Sequence, residues 1–275
     1  MNARARTTLV LGGTGKTGRR VVERLAGRGL PVRVGSRSGS PRFDWADPGT
    51  WEAALRGVDA AYVAYAPDVA APGAAETLGE LGRVAVAHGV RRLVLLSGRN
   101  EEEALPGEAA IRESGAEVTI LRCAFFAQNF SEGLFAEGLR AGTLAFMGGQ
   151  VAEPFLDAGD VADVAVAALT EDGHAGRIHE LTGPELLTFG AAVAAIAEAA
   201  GRPLRYEPLS QAEYTATLLP FVPAAEAAFL TDLFARVLDG RNAHRTDGVA
   251  RVLGRPARPF AEYAREAAQA GAWRS

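Results

Sequence analysis

Cysteine, lysine and methionine are scarce in this 275-residue chain, at one, one and two copies. Cys123 alone cannot close an internal disulfide. The four histidines are scattered without the spacing of metal ligands, so no bound metal is expected. A net charge of -4, with arginines spread along the chain, lacks the basic footprint of a nucleic-acid binder. No run approaches the roughly 18 apolar residues of a membrane span, and Met1 to Thr8 lacks the apolar core of a signal peptide. A cytoplasmic protein without membrane contact is therefore expected. What is abundant is apolar residue, 48% of the chain, enough for one large domain or a core with an appended lobe.

The single lysine, Lys16, lies inside a glycine cluster, Gly12-Gly13-Thr14-Gly15-Lys16-Thr17-Gly18. The apolar run Leu9-Val10-Leu11 precedes it as a buried strand, and Arg19 to Ala26 follows at helical spacing with Val21, Val22 and Leu25 on one face. Glycines at such a turn let backbone approach a pyrophosphate, which the helix N-terminus attracts. A Walker loop would need glycine where Val10 stands, so that reading fails. Gly12-x-x-Gly15-x-x-Gly18 remains, a dinucleotide loop in which Thr14, Lys16 and Thr17 are further candidate contacts. Lys16 is either a remnant of arginine-biased composition or a contact to phosphates or loop carbonyls. Its ammonium must offset an unfavourable dipole end, which favours binding over chemistry.

Strand-like runs at Leu30–Val34, Ala60–Tyr65, Arg91–Ser97 and Glu117–Arg122 alternate with helical spacing at Thr50–Arg56 and Ala74–His88. The alternation predicts an α/β chain with a Rossmann-like, doubly wound parallel sheet and a smaller mixed α/β C-terminal substrate lobe. Residues 1–124 form the expected dinucleotide-binding core, with return elements from about 150–182, and 125–275 mainly the lobe. Within the lobe, Phe125–Leu139 reads as helical, Pro154–Leu156 as extended, Asp160–Leu169 as a helix capped by Asp160, and Ile178–Leu181 as a strand. Ala-rich helices follow from Thr188, interrupted at Pro220 and Pro223.

At the end of the second strand an acidic residue would select NAD, whereas arginine accommodates a 2′-phosphate. Here the strand ends Val34-Gly35-Ser36-Arg37, with Arg42 close by, so Ser36 and Arg37 point to NADPH/NADP+. A solvated surface arginine is the plainer alternative. Asp44 and Trp45, after an expected third strand, are candidates to border the adenine, or Trp45 simply packs.

Ketone-reducing short-chain dehydrogenases pair a serine with Tyr-x-x-x-Lys, whose phenol protonates the nascent alkoxide. Ser97 stands where the serine should, but no tyrosine occurs between Tyr65 and Tyr206, and Glu108-x-x-x-Arg112 occupies the region of the motif. Ser97 and Glu108 are the catalytic candidates; Glu108 and Arg112, one turn apart, equally suit a surface ion pair. Without a phenolic acid the chemistry narrows to activated acceptors. An iminium becomes a neutral amine without a proton, and a quinone yields a phenolate with a conjugate-acid pKa near about 10.

With these residues and the segment Ser114-Gly115-Ala116-Glu117-Val118-Thr119-Ile120-Leu121-Arg122-Cys123-Ala124-Phe125-Phe126-Ala127-Gln128-Asn129-Phe130, the chain resembles the NmrA-like atypical short-chain dehydrogenases over most of its length. Cys123 stands where that family commonly has proline. Phe43-Asp44-Trp45, Leu96-Ser97-Gly98-Arg99 and Val252-Leu253-Gly254-Arg255-Pro256 are most similar to the ergot-alkaloid type, the agroclavine and festuclavine dehydrogenases. The resemblance implies a nicotinamide lying against Tyr65, Ala66 and Pro67 after the fourth strand, Ser97, Gly98 and Arg99 after the fifth, and Cys123 to Phe126 after the sixth. It implies a substrate near Phe125, Phe126 and Asn129, although Asn129 also suits a helix cap. The expectation is an NADPH-dependent reductase acting, as monomer or homodimer, on a cyclic iminium or imine, enone or quinone of a small secondary-metabolite-like molecule. The family also holds NADP(H)-sensing regulators, which leaves a non-catalytic binding protein as the alternative.

Overall fold

A computed structural model describes residues 7–133 and 135–274. The chain divides into two compact units. The first comprises Met1–Cys123, Ala158–Leu181 and Gly248–Arg255; the second comprises Ala124–Asp157, Thr182–Asp247 and Pro256–Ser275.

Unit 1 is built on strands β1 (Thr8–Leu11), β2 (Val32–Gly35), β3 (Ala60–Val63), β4 (Arg92–Gly98) and β5 (Glu117–Cys123). A later strand, Ile178–Leu181, completes a parallel sheet and pairs with β5. From β2 the order is β2, β1, β3, β4, β5 and that last strand. The strands read as apolar runs because both faces are covered, and Leu9, Val10, Leu11, Tyr62 and Val63 are fully buried. Helix α1 (Lys16–Gly27) packs with the later helix Ala158–Thr170, while α2 (Trp51–Leu55), α3 (Ala74–Ala87) and α4 (Leu105–Arg112) form the opposing layer. This is the predicted Rossmann-like, doubly wound α/β architecture. Strand order reverses between β1 and β3, so their carboxyl ends open on a crevice of the kind that binds ligands in such sheets.

The third strand expected before Asp44 is not formed: among the described residues no strand lies between β2 and Asp44. Pro41, Pro48 and Gly49 interrupt the chain there, and Asp44's backbone is taken up locally: its N–H donates to Thr50 Oγ1 at 3.0 Å, and its carbonyl accepts from Trp51 Nε1 at 2.8 Å. Tyr65, Ser97 and Cys123 consequently follow or close the third, fourth and fifth strands rather than the fourth, fifth and sixth.

Helix Ala158–Thr170 begins two residues before Asp160, which lies inside its first turn and is not the cap. The carboxylate, 1% exposed, is held by Arg255 Nη1 at 2.7 Å. Arg255 follows a short helix, Gly248–Leu253, an element of unit 1 that the sequence reading did not anticipate.

Unit 2 has an aromatic core. Phe130, Phe146, Phe155 and Phe189 are buried, with Phe125, Phe135, Phe234 and Phe260 packed against members of the cluster. Strand Thr143–Phe146 pairs in parallel with Arg205–Pro208, and Ala152–Glu153 pairs antiparallel with Leu187–Thr188. The expected helix over Phe125–Leu139 is not formed as one piece. Phe126 bridges to Leu156 in an extended conformation, so only a single-turn 3₁₀ segment (Ala127–Phe130) and the short helix Ala136–Ala141 remain.

Candidate dinucleotide and hydride-transfer site

The glycine loop explains itself atom by atom. Gly12 has φ +68°, and a Cβ there would meet Ala64 Cβ and O at 3.1 Å, so only glycine suits the turn. A Cβ on Gly18 would lie 2.2 Å from the Gly12 carbonyl oxygen; Gly18 therefore sets how closely α1 packs on the loop. A Cβ on Gly13 would strike the Val10 carbonyl at 2.9 Å, a requirement the glycine spacing alone did not reveal. Gly15 differs. It is exposed, and its added Cβ would meet only the Gly12 oxygen, at 3.3 Å.

Gly15 caps α1 without a side-chain hydrogen bond, and the first turn holds no acidic residue. An exposed glycine face ahead of a helix N-terminus is a cradle that fits a pyrophosphate. Thr14 is exposed and Lys16 half-buried beside it. Thr17 is turned inward, and its hydroxyl accepts from buried Tyr62 at 3.0 Å.

Beyond β2, Ser36 is half-buried and Arg37 exposed. Arg42 is engaged elsewhere, with Nη2 2.6 Å from Asp44 and Nη1 3.6 Å from Asp47. The Ala46 N–H and then Arg42 hold the Asp44 carboxyl below its usual range. Trp45 packs edge-on against both Phe43 at 4.9 Å and Tyr65 at 4.8 Å. Tyr65 is half-buried, whereas Ala66 and Pro67 are exposed.

Sequence spacing paired Glu108 with Arg112, but the structure turns Glu108 inward. It is 3% exposed; Arg122 donates from Nε at 3.0 and 3.1 Å and from Nη2 at 2.6 Å, and Ser97 Oγ donates at 2.7 Å. Arg112 is exposed. Ser97 and Arg122 are register partners on β4 and β5, which brings the two side chains to one carboxylate. Arg122 was missed by sequence reasoning. Its signal was the one charged residue within the mostly apolar Val118–Cys123 run, where burial demands a partner.

Gly98 leaves room for Glu101, whose carboxylate would lie 2.0 Å from an added Cβ. Arg99 is buried and lies 3.7 Å from Glu180. Cys123 is buried, its thiol 3.6 Å from the Leu121 carbonyl, and burial together with the nearby Glu101 pushes its pKa up. A thiol so held is not an activated nucleophile.

The three expected substrate contacts belong to unit 2. Phe125 and Phe126 are half-buried. Asn129 sits inside the 3₁₀ turn and so caps no helix, and its carbonyl accepts from the Phe135 N–H at 3.3 Å. Elsewhere in unit 1 a cavity of about 320 Å³ opens at the amino ends of the strands, lined by Thr8, Ala60, Arg92 and Glu117 among others. That is the opposite end of the sheet from the glycine loop. Among the described residues no helix is long and apolar enough to cross a membrane, and no three His, Cys, Asp or Glu side chains gather as a metal site.

No protein-family profile matches the chain. It is 35% identical to the (4-alkanoyl-5-oxo-2,5-dihydrofuran-3-yl)methyl phosphate reductase of Streptomyces griseus, over 95% of this chain and 98% of that protein. It is 32% identical to the NAD(P)H azoreductase of Xenophilus azovorans, over 95% and 98%, and 30% identical to the agroclavine dehydrogenase of Claviceps fusiformis, over 94% and 96%. In fold it superposes on an NADPH-dependent quinone oxidoreductase of Escherichia coli with TM-score 0.79, at 21% identity over 94% and 99% of the two chains. With near full-length relatives among named reductases, a parallel doubly wound sheet and a glycine loop in place, the chain belongs to the NmrA-like atypical short-chain dehydrogenases/reductases, alongside the ergot-alkaloid type, and is an oxidoreductase.

Proposed function

We propose that the protein is an NADPH-dependent reductase whose acceptor is an activated double bond: a cyclic iminium or imine, an enone or a quinone of a small molecule. The observation that carries this reading is the Ser97–Glu108–Arg122 arrangement standing where a ketone reductase has its phenol and lysine. Arg122 keeps Glu108 fixed, and the Ser97 hydrogen is directed at that carboxylate. While that bond holds, Ser97 has no proton to release to a nascent alkoxide, so the acceptor must tolerate hydride without one.

The reduced nicotinamide, when bound, supplies the hydride. The protein's own contribution is orientation. The Gly15 face and the α1 N-terminus hold the pyrophosphate, and exposed Arg37 takes the 2′-phosphate. Trp45 and Tyr65 border the adenine and nicotinamide sides of the crevice, and Ser97 lies at the hydride-transfer end. The relatives' names, a dihydrofuranone reductase, an azoreductase and a clavine dehydrogenase, support acceptors more reactive than a simple ketone. Following NADPH consumption with a cyclic iminium, an enone, a quinone and cyclohexanone tests the reading. Turnover with at least one of the first three and none with cyclohexanone is expected; no consumption with any activated acceptor would overturn it.

A further inference from the structure

Tyr214, on the helix Gln211–Leu218 of unit 2, is 3% exposed, and its hydroxyl has no hydrogen-bond partner among the described residues. Buried phenols ordinarily find one. Two other tyrosines of the same unit do: half-buried Tyr206 donates to the Phe146 carbonyl at 2.9 Å and buried Tyr263 to Ser131 at 2.8 Å. An orphaned hydroxyl gives up its hydration with no replacement from the protein.

Its neighbours define what would complete it. The Tyr214 ring stands edge-on to Phe146 at 5.0 Å and lies 6.0 Å from Phe234. Phe125 is 6.0 Å from Phe234 and 6.4 Å from Phe146, and both Phe125 and Phe234 are only half-buried. The four rings form a contiguous aromatic cluster with one polar atom in it, reached from outside at Phe125 and Phe234. Burial pushes the phenol up to about 12, so it stays protonated and serves as a donor. Reaching the hydroxyl requires the helix Gln211–Leu218 to move, and with Tyr214 and Leu218 as its buried residues few buried contacts oppose that opening.

We propose that Tyr214 with Phe125, Phe146 and Phe234 forms a recognition site for a flat conjugated substrate, whose carbonyl oxygen accepts the Tyr214 hydrogen bond. This rests on unit 2 being the substrate-binding unit. It also narrows the acceptor class. A quinone or enone oxygen has lone pairs for the phenol, whereas an iminium nitrogen has none.

The test is the binding of 1,4-naphthoquinone and of naphthalene, which lacks the oxygens, to wild type and Tyr214→Phe, each loaded with NADP+ so that nothing is reduced. Wild type is expected to bind the quinone, Tyr214→Phe to bind it roughly tenfold more weakly, and both to bind naphthalene alike. The melting temperature of ligand-free Tyr214→Phe should equal or exceed that of wild type, because the removed hydroxyl has no partner to lose. A quinone that binds both proteins equally or does not bind wild type, or a variant that melts several degrees lower, overturns the proposal. If the quinone binds as expected but NADPH does not reduce it or any other activated acceptor, the site stands and the proposed function falls.

Discussion

Gly15 and Gly18 are both glycines of one loop, yet a methyl group means different things at each. At Gly18 it would sit 2.2 Å from a backbone oxygen, so Gly18→Ala is expected to cost about 2 kcal/mol or more of stability, read as a lowered denaturation midpoint. At Gly15 the methyl meets little protein, and φ of -81° suits alanine. Gly15→Ala should therefore leave the midpoint nearly unchanged while weakening NADPH binding at least tenfold in a fluorescence titration. Arg37→Ala should weaken NADPH by tenfold or more and NADH by less than about twofold, since only the former carries the phosphate a guanidinium grips. Equal losses for the two cofactors would remove Arg37 from the 2′-phosphate site. At this scale the sequence was most legible where backbone geometry demanded glycine. It was least legible for charges: Arg42 turned out to pair with Asp44, and Glu108 with Arg122 rather than Arg112, because ion pairing follows the strand register and loop path that bring side chains together.

The elements β4, α4 and β5 are joined at Glu108, where a carboxylate buried under α4 takes hydrogen bonds from both strands. Arg122→Ala leaves that charge with only Ser97 and should cost about 3 kcal/mol, whereas Glu108→Gln keeps a neutral acceptor in place and should cost less than half as much. Urea denaturation of the two variants separates these outcomes. A second effect belongs to the last strand of the sheet, Ile178–Leu181. His179 lies 3.1 Å from His174, and burial, then His174, Arg251 and Arg177, bring its pKa from the ordinary 6.5 down to about 4. The unfolded chain thus binds more protons than the folded one between about 4 and 6.5. Stability should fall as pH is lowered through that window, and His179→Asn should flatten that part of the profile. The strands of the unit 1 sheet were readable as apolar runs bounded by glycine and proline. The paired segments Thr143–Phe146 and Arg205–Pro208 were not, because each is a short stretch whose strand character comes from its distant partner.

Over the whole molecule, three stretches of chain build unit 1, and the last of them, Gly248–Arg255, ties in through Arg255 to Asp160 and Asp163, both 2.7 Å away. Arg255→Ala removes the guanidinium from a carboxylate that is 1% exposed; allowing for the half-exposed arginine, a loss of about 2 kcal/mol in thermal or urea unfolding is expected. No periodicity marks this return, because a six-residue helix carries too little pattern to announce where it docks. The alternation of the first half and the missing phenol, by contrast, are properties of the sequence itself, and they carry the proposal made above: that hydride passes from NADPH to an acceptor that needs no tyrosine. NADPH carrying deuterium on the transferred position of nicotinamide C4 tests this directly when incubated with the protein and the acceptor that gives turnover. Mass spectrometry should find one deuterium bound to carbon, or to nitrogen-flanking carbon for an iminium, after a conjugate addition or C=N reduction. For a quinone, whose hydroquinone exchanges that atom into water, the oxidised cofactor should instead have lost it in step with acceptor reduction. Product formed without loss of the label from the cofactor, or no product with any activated acceptor, would contradict hydride transfer and leave a dinucleotide-binding protein that does not reduce.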